Sequence, residues 1–296
     1  MNGIYGYDDY VRDPFLATKK VGQLLHNGAL RLFLGAGASK GFGLPEWKLL
    51  IARILGKDRN RKFLAELETK SILEQCKLLD DIDDQSKAYK QRVQEALYRT
   101  VPKMLDDRQL VRSPLLLAVT AMITGSCRGR IESVITYNYD DLLEQYLGLL
   151  GYSTCRRTRP DDLSTRADLE VNYPHGILPQ AWTGTGDLPG IILSNKSYIE
   201  KRASIDRGWS PIIECGLYSK IGLFIALSGD DQSILEVLKR TNKNLKRADD
   251  YNAYWLLTPD AFDRNHKSLL HVGSCPIRLK KEQIARFVFK VCQAAS

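Results

Sequence analysis

The chain has 296 residues, of which 44% are hydrophobic, 26% charged and 9% aromatic, fractions that exclude a disordered, collagen-like or fibrous polymer. Its 43 Lys and Arg against 35 Asp and Glu leave a formal charge of +8, which suits an anionic partner without choosing among nucleotide, nucleic acid and acidic protein surface. The six cysteines are scattered with no CxxC spacing, so neither a paired-cysteine zinc module nor a disulfide scaffold is expected, and reduced thiols in the cytoplasm are.

Met1 to Asp9 shows no basic stretch followed by an apolar one, and no apolar run approaches the roughly 18–20 residues of a spanning helix, so neither a secretory signal nor a membrane span is expected. Residues 1–20 are polar and turn-rich and read as an extended lead-in. Val21–Asn27 reads as a short helix, and Leu30-Arg31-Leu32-Phe33-Leu34 as a buried strand ended by glycine. A glycine-rich turn, Gly35–Gly43, leads to a helix over Glu46–Leu55, where Trp47, Leu50, Ile51 and Ile54 recur at helical spacing.

From 57 to 112 the pattern is helical and highly charged, with a stripe at Val93, Leu97, Val101 and Leu105 and no strand signal. This stretch reads as a helical insertion. Ser113-Pro114 then opens an apolar helix to Thr124.

Strands and helices alternate afterwards. Strands are expected at Ser133–Thr136, Glu170–Tyr173, Gly190–Leu193, Gly222–Leu227, Tyr254–Leu257 and within Ser268–Leu279. Helices are expected at Asp141–Leu150, from Ser197, at Asp231–Arg240 and at Lys280–Ala294. Apolar strands alternating with helices predict an α/β fold, a doubly wound, mostly parallel Rossmann-like sheet, with residues 1–296 as one domain carrying the insertion.

Four polar turns follow these strands, and each has a purely structural alternative. Gly35-Ala36-Gly37-Ala38-Ser39 follows a strand, where small residues let backbone N–H groups approach a phosphate; a merely tight turn is the alternative. Lys40 replaces the third glycine of GxGxxG, no acidic residue follows at dinucleotide spacing, and no Gly-Lys-Ser/Thr is present. Gly37-Ala38-Ser39-Lys40-Gly41 also matches GxSxG, but only one strand precedes Ser39 and Leu44-Pro45 interrupts the helix a nucleophile elbow needs.

Thr136-Tyr137-Asn138-Tyr139-Asp140-Asp141 ends the second strand. Asn138 offers an uncharged donor and acceptor, and Asp140 can accept from ribose hydroxyls; turn shaping by Asn138 and helix capping by Asp140 or, above all, Asp141 are the alternatives. Tyr173-Pro174-His175-Gly176 sets one of only four histidines at a strand end, where it either titrates near neutrality or serves structurally. Ser228-Gly229-Asp230 either binds ribose or phosphate, or Asp230 caps the next helix.

Together these turns resemble the sirtuin superfamily, in particular the sirtuin-like NAD hydrolases of bacterial anti-phage defence. The likeness spans roughly residues 28–240 and is also carried by Gly43-Leu44-Pro45-Glu46-Trp47 and by Ile192-Leu193-Ser194 with Tyr198. It implies that Gly35, Ala36, Gly37 and Ser39 line the dinucleotide. It further implies that Asn138 and His175 occupy the two catalytic positions, and that Asp140 lies in the nicotinamide–ribose pocket. Ser228, Gly229 and Asp230 match a later ligand-binding turn less closely. Protein-deacylating members carry paired zinc cysteines and an Asp-Phe-Arg element, both missing here, so an acyl-lysine groove is not expected.

The expected reaction is hydrolysis of NAD to nicotinamide and ADP-ribose through an oxocarbenium-like ribosyl state, with NAD as substrate and no metal. A non-catalytic NAD or ADP-ribose module, a protein deacylase and a nucleic-acid enzyme are the alternatives. The basic runs Arg156–Arg159 and Lys239–Arg247 leave direct nucleic-acid contact open. The resemblance also implies a gated effector working as a homo-oligomer with a separate partner subunit, an ATPase or a nucleic-acid-guided protein.

Overall fold

The computed structural model describes residues 5–103, 111–125, 131–163, 165–185, 188, 190–204, 208–245 and 251–296. Leu105 and the end of the second basic run at Arg247, named above, and Cys127, one of the six cysteines, lie outside the described residues.

Seven short strands form one sheet: β1 (Leu30–Leu34), β2 (Ser133–Thr136), β3 (Thr154–Arg157), β4 (Leu169–Asn172), β5 (Ile221–Ile225), β6 (Ala253–Leu257) and β7 (Ser274–Arg278). Their order is β3-β4-β2-β1-β5-β6-β7, and every pairing is parallel. Central β1 pairs with β2, Leu34 opposite Thr136, and with β5, Leu34 opposite Ile225. The chain builds one half of the sheet on β2 and the other on β5, so the direction of winding switches at β1. Ligands of such sheets bind at that switch, beyond the carboxyl ends of the strands.

Among the described residues thirteen α-helices accompany the sheet: α1 (Tyr7–Arg12), α2 (Ala17–His26), α3 (Trp47–Ile54), α4 (Arg61–Thr69), α5 (Ile72–Lys77), α6 (Lys87–Tyr98), α7 (Pro114–Thr124), α8 (Leu142–Leu149), α9 (Asn195–Ser204), α10 (Ser210–Ser219), α11 (Gln232–Asn244), α12 (Pro259–His271) and α13 (Lys281–Ala295). Successive strand residues face opposite sides. Leu30, Leu32 and Leu34 therefore join the core with α2, α3, α7 and α13, while Phe33 joins α10, α11 and α12. On that second face Phe33, Phe224 and Trp255 stack across three strands with centroids 4.2 and 4.1 Å apart. None of the described helices is long and apolar enough to cross a membrane.

Residues 57–103 carry α4, α5 and α6 and no described strand. They close over the carboxyl edge of β2 and β4 by polar contacts as well as by packing. Tyr98 Oη meets Asp141 Oδ1 at 2.9 Å and Leu178 O at 3.0 Å. Ser194 Oγ donates to buried Asp83, and Gln94 Nε2 donates to Trp182 O at 3.0 Å.

Four expectations need correction. Residues 7–20 are not an extended lead-in but α1, a 3-10 turn at Pro14–Leu16 and the first part of α2, whose remainder is the helix expected from Val21. Gly190–Leu193 is no strand, although Ile191, Ile192 and Leu193 are buried: Ile192 N donates to His175 O at 2.9 Å, outside any ladder. Thr154–Arg157, where no strand was expected, is edge strand β3, with Arg156 exposed along it. Two helices were not expected, α10 and α12.

Candidate active site

The polar turns that follow β1, β2, β4 and β5 gather at the carboxyl edge on both sides of the switch. Gly35 leaves β1 under close constraint. A Cβ there would overlap Ala226 O, and one at Gly37 would lie 2.9 Å from Ala226 Cβ. Ala226 itself holds φ at +60°, a left-handed conformation that L-residues adopt at a cost of about 1–3 kcal/mol. Gly35 N–H bonds Ile225 O at 3.0 Å, so that donor serves the sheet. Ala36 and Gly37 are exposed and open the 3-10 turn Ala36–Ala38, where the first N–H groups have no partner within the turn. Those two, not Gly35, are placed to meet an anion.

Ser39 ends the turn and is buried. Its Oγ donates to Asp140 Oδ1 at 2.8 Å and accepts from Asn138 Nδ2 at 3.2 Å. Three of the residues singled out from sequence thus form one connected group below the surface. Asp140 Oδ1 also accepts from Leu142 N at 3.2 Å, so Asp140, rather than Asp141, caps α8. Asp141 points to the helical segment instead and accepts from Tyr98 Oη. Burial raises the Asp140 carboxyl to about 6, against the lowering effect of the Ser39 and Leu142 bonds.

His175 follows β4, with its ring edge-on to Tyr137 at 4.9 Å between centroids. Burial holds the imidazole below its ordinary range, opposed by the charge of Asp231, and so favours its neutral form. Gly176 next to it holds φ at +83°, with Gly190 O 2.9 Å from where a Cβ would stand.

Ser228, Gly229 and Asp230 follow β5, but no hydrogen bond joins them to Ser39, Asn138 or His175 among the described residues. Asn265 Nδ2 donates to Ser228 O at 2.9 Å and to Asp230 Oδ1 at 2.8 Å, tying this turn to α12. The cap of α11 is Asp231, not Asp230: its Oδ1 accepts from Ser233 N at 2.9 Å and from Ile234 N at 3.3 Å.

Two buried atoms in the site lack any partner, Asn138 Oδ1 and His175 Nε2. A buried acceptor without a donor costs about 1–3 kcal/mol, a penalty a bound polar ligand removes. Sequence reasoning missed Tyr98, Asp231 and Ala226. Only Asp231 carried a local signal, a second aspartate before a helical stretch; Tyr98 reaches the site across 43 residues of sequence. Among the described residues no group of three or more His, Cys, Asp or Glu is arranged to hold a metal ion.

The family model described as SIR2-like domain matches residues 132–283, just over half of the chain. The matched segment contains Asn138, Asp140, His175 and the Ser228–Asp230 turn; the glycine loop precedes it. No curated protein matches the chain. The parallel sheet, the strand-end site and the matched segment agree, and the chain belongs to the SIR2-like domain family, whose domains use NAD.

Proposed function

We propose that the chain hydrolyses NAD to nicotinamide and ADP-ribose. The observation that carries this reading is the pair of buried, unpartnered atoms, Asn138 Oδ1 and His175 Nε2, at the carboxyl edge of a SIR2-like sheet. The residues present fit the dinucleotide: two free N–H groups over the glycine turn for phosphate oxygens, and hydrogen-bonding atoms awaiting partners where ribose and water would sit.

When bound, NAD supplies a ribosyl carbon bearing a cationic pyridinium that departs as neutral nicotinamide, so the leaving group needs no proton. Asn138 Oδ1 holds a ribose hydroxyl or the attacking water, its amide kept in place by Ser39 Oγ. His175, held neutral by burial, takes a proton at Nε2. Asp140 fixes the Ser39 hydroxyl and, through it, Asn138. Burial of Asn138, of Asp140 and of the Nε2 atom of His175 limits water at the reacting position and fixes orientation.

A free-running NAD hydrolase drains its own cell, which argues for a gate. The reading therefore extends to a cytoplasmic effector subunit of an anti-phage assembly, a homo-oligomer gated by an ATPase or a nucleic-acid-guided partner. The test incubates the purified chain, alone and with what co-purifies with it, with NAD and follows nicotinamide and ADP-ribose by chromatography. NAD loss that disappears in His175→Ala and in Asn138→Ala is the expected result. Turnover retained by either variant removes that residue from the mechanism. NAD binding without loss, with or without co-purifying protein, replaces hydrolysis by a non-catalytic binding module.

A further inference from the structure

The opposite edge of the sheet carries a cavity of about 510 Å³, where β1, β2 and β5 begin. Its walls include Pro211, Ile212, Ser133, Cys215, Arg31 and the paired Glu132 and Lys220. Binding pockets for small molecules fall in this size range and pair an apolar wall with a few convergent polar groups.

Arg31 is the unusual member. It stands on the central strand, on the face shared with Phe33, and reaches α10. Its one hydrogen bond among the described residues runs from Nη2 to Ser133 Oγ at 2.9 Å. Guanidinium has five N–H donors in a planar fork that matches carboxylate and phosphate oxygens two at a time. Neither carboxylate whose charge acts on it closes that fork. Glu170 is held by Arg157 at 3.4 Å and by Asn172 Nδ2 at 2.9 Å, and Glu132 pairs with Lys220 at 3.3 Å.

The fold makes room for this cation. Gly216 sits inside α10, and a Cβ there would overlap Arg31 Nη1. Glycine inside a helix costs about 0.5–1 kcal/mol relative to alanine, so the position of the guanidinium, not helix stability, accounts for this glycine. A largely buried guanidinium with most donors unused calls for an oxyanion.

We propose that this cavity is a second binding site, distinct from the strand-end site, for a small oxyanion attached to an apolar group, held two-pronged by Arg31 with Lys220 and Ser133 beside it. Pro211 and Ile212 of α10 take the apolar part. The shared chemistry is a planar fork of oxygens, from either a carboxylate or a phosphate.

Cys215 is exposed, lines the cavity and reports on its occupancy. The experiment measures alkylation of Cys215 by iodoacetamide, mapped by mass spectrometry, while inorganic phosphate or benzoate is titrated at constant ionic strength. Cys76, outside the cavity, is the internal control. Saturable slowing at Cys215 alone is expected, with benzoate slowing it if the ligand is a carboxylate and phosphate if it is a phosphate. Arg31→Gln should weaken the protecting anion about tenfold or more, the loss of a charge-assisted pair. Should Arg31→Gln fail to fold, Gly216→Ala favours the helix, displaces the guanidinium and is expected to weaken protection likewise. No protection by either anion, or protection unchanged in Gly216→Ala, overturns the proposal.

Discussion

Asp140 shows how one buried side chain sets both stability and chemistry. Its carboxyl is raised to about 6 by burial, whereas in the unfolded chain it titrates near 3.9. Between those values the folded state holds more protons, so stability falls as pH rises from about 4 to about 6 and then stays level. Asp140→Asn removes that penalty and is expected to raise unfolding free energy at pH 8 by up to about 3 kcal/mol, with the gain vanishing by pH 4. Urea titrations at the two pH values measure it. The same carboxyl is ionised at pH 7, so the NAD turnover proposed here should show an acid limb near pH 6, lost in Asp140→Asn. The neighbouring aspartates were legible as polar strand-end residues, yet not their division of labour. Asp140 caps α8 and Asp141 meets Tyr98, because the second contact depends on a helix 43 residues away that no local spacing reveals.

Among the elements, the helices of residues 57–103 have the least sequence signature and the most direct grip on the site. Tyr98 Oη contacts Asp141 Oδ1 and Leu178 O and accepts from Asp141 N at 3.1 Å. Tyr98→Phe leaves the packing but strips those bonds. An unfolding free energy lowered by about 1–3 kcal/mol, measured by urea titration, is expected, the cost of leaving buried polar groups unpartnered. NAD turnover should fall with little change in NAD affinity, since the turn carrying Asn138 loosens while the glycine loop stays. The central strands were legible because a strand buried on both faces reads as a mostly apolar run, unbroken in Ile221–Ile225 and interrupted only by Arg31 in Leu30–Leu34. Two elements escaped for the converse reason. Edge strand β3 reads Thr-Cys-Arg-Arg because half of it meets solvent, and Gly190–Leu193 reads as a strand because burial alone, without a ladder, makes a segment apolar.

At the scale of the whole molecule, the net charge of +8 does not sit on the two basic runs, whose arginines among the described residues are paired with carboxylates. Arg156 forks onto Glu144 at 2.7 Å, Arg157 lies 3.4 Å from Glu170, and Arg159 lies 3.2 Å from Asp162. Arg240 of the second basic run pairs with Glu214 at 3.2 Å. Arg156→Gln is therefore expected to lower unfolding free energy by about 1 kcal/mol, while any affinity for duplex DNA, read by fluorescence anisotropy, stays within twofold of the parent. Loss of DNA affinity without loss of stability would reverse that assignment.

The sheet also ends deliberately. On one side lies β3, four residues long, with Arg156 exposed along it; on the other lies β7, interrupted by Pro276, which has no N–H to give. Short, charged or proline-bearing borders are how proteins keep a neighbour from adding strands. Copies of this chain, or a partner, therefore have to meet through helices and loops, where side chains rather than backbone decide who fits. Recognition built that way can be tuned one residue at a time without disturbing the sheet that carries the site.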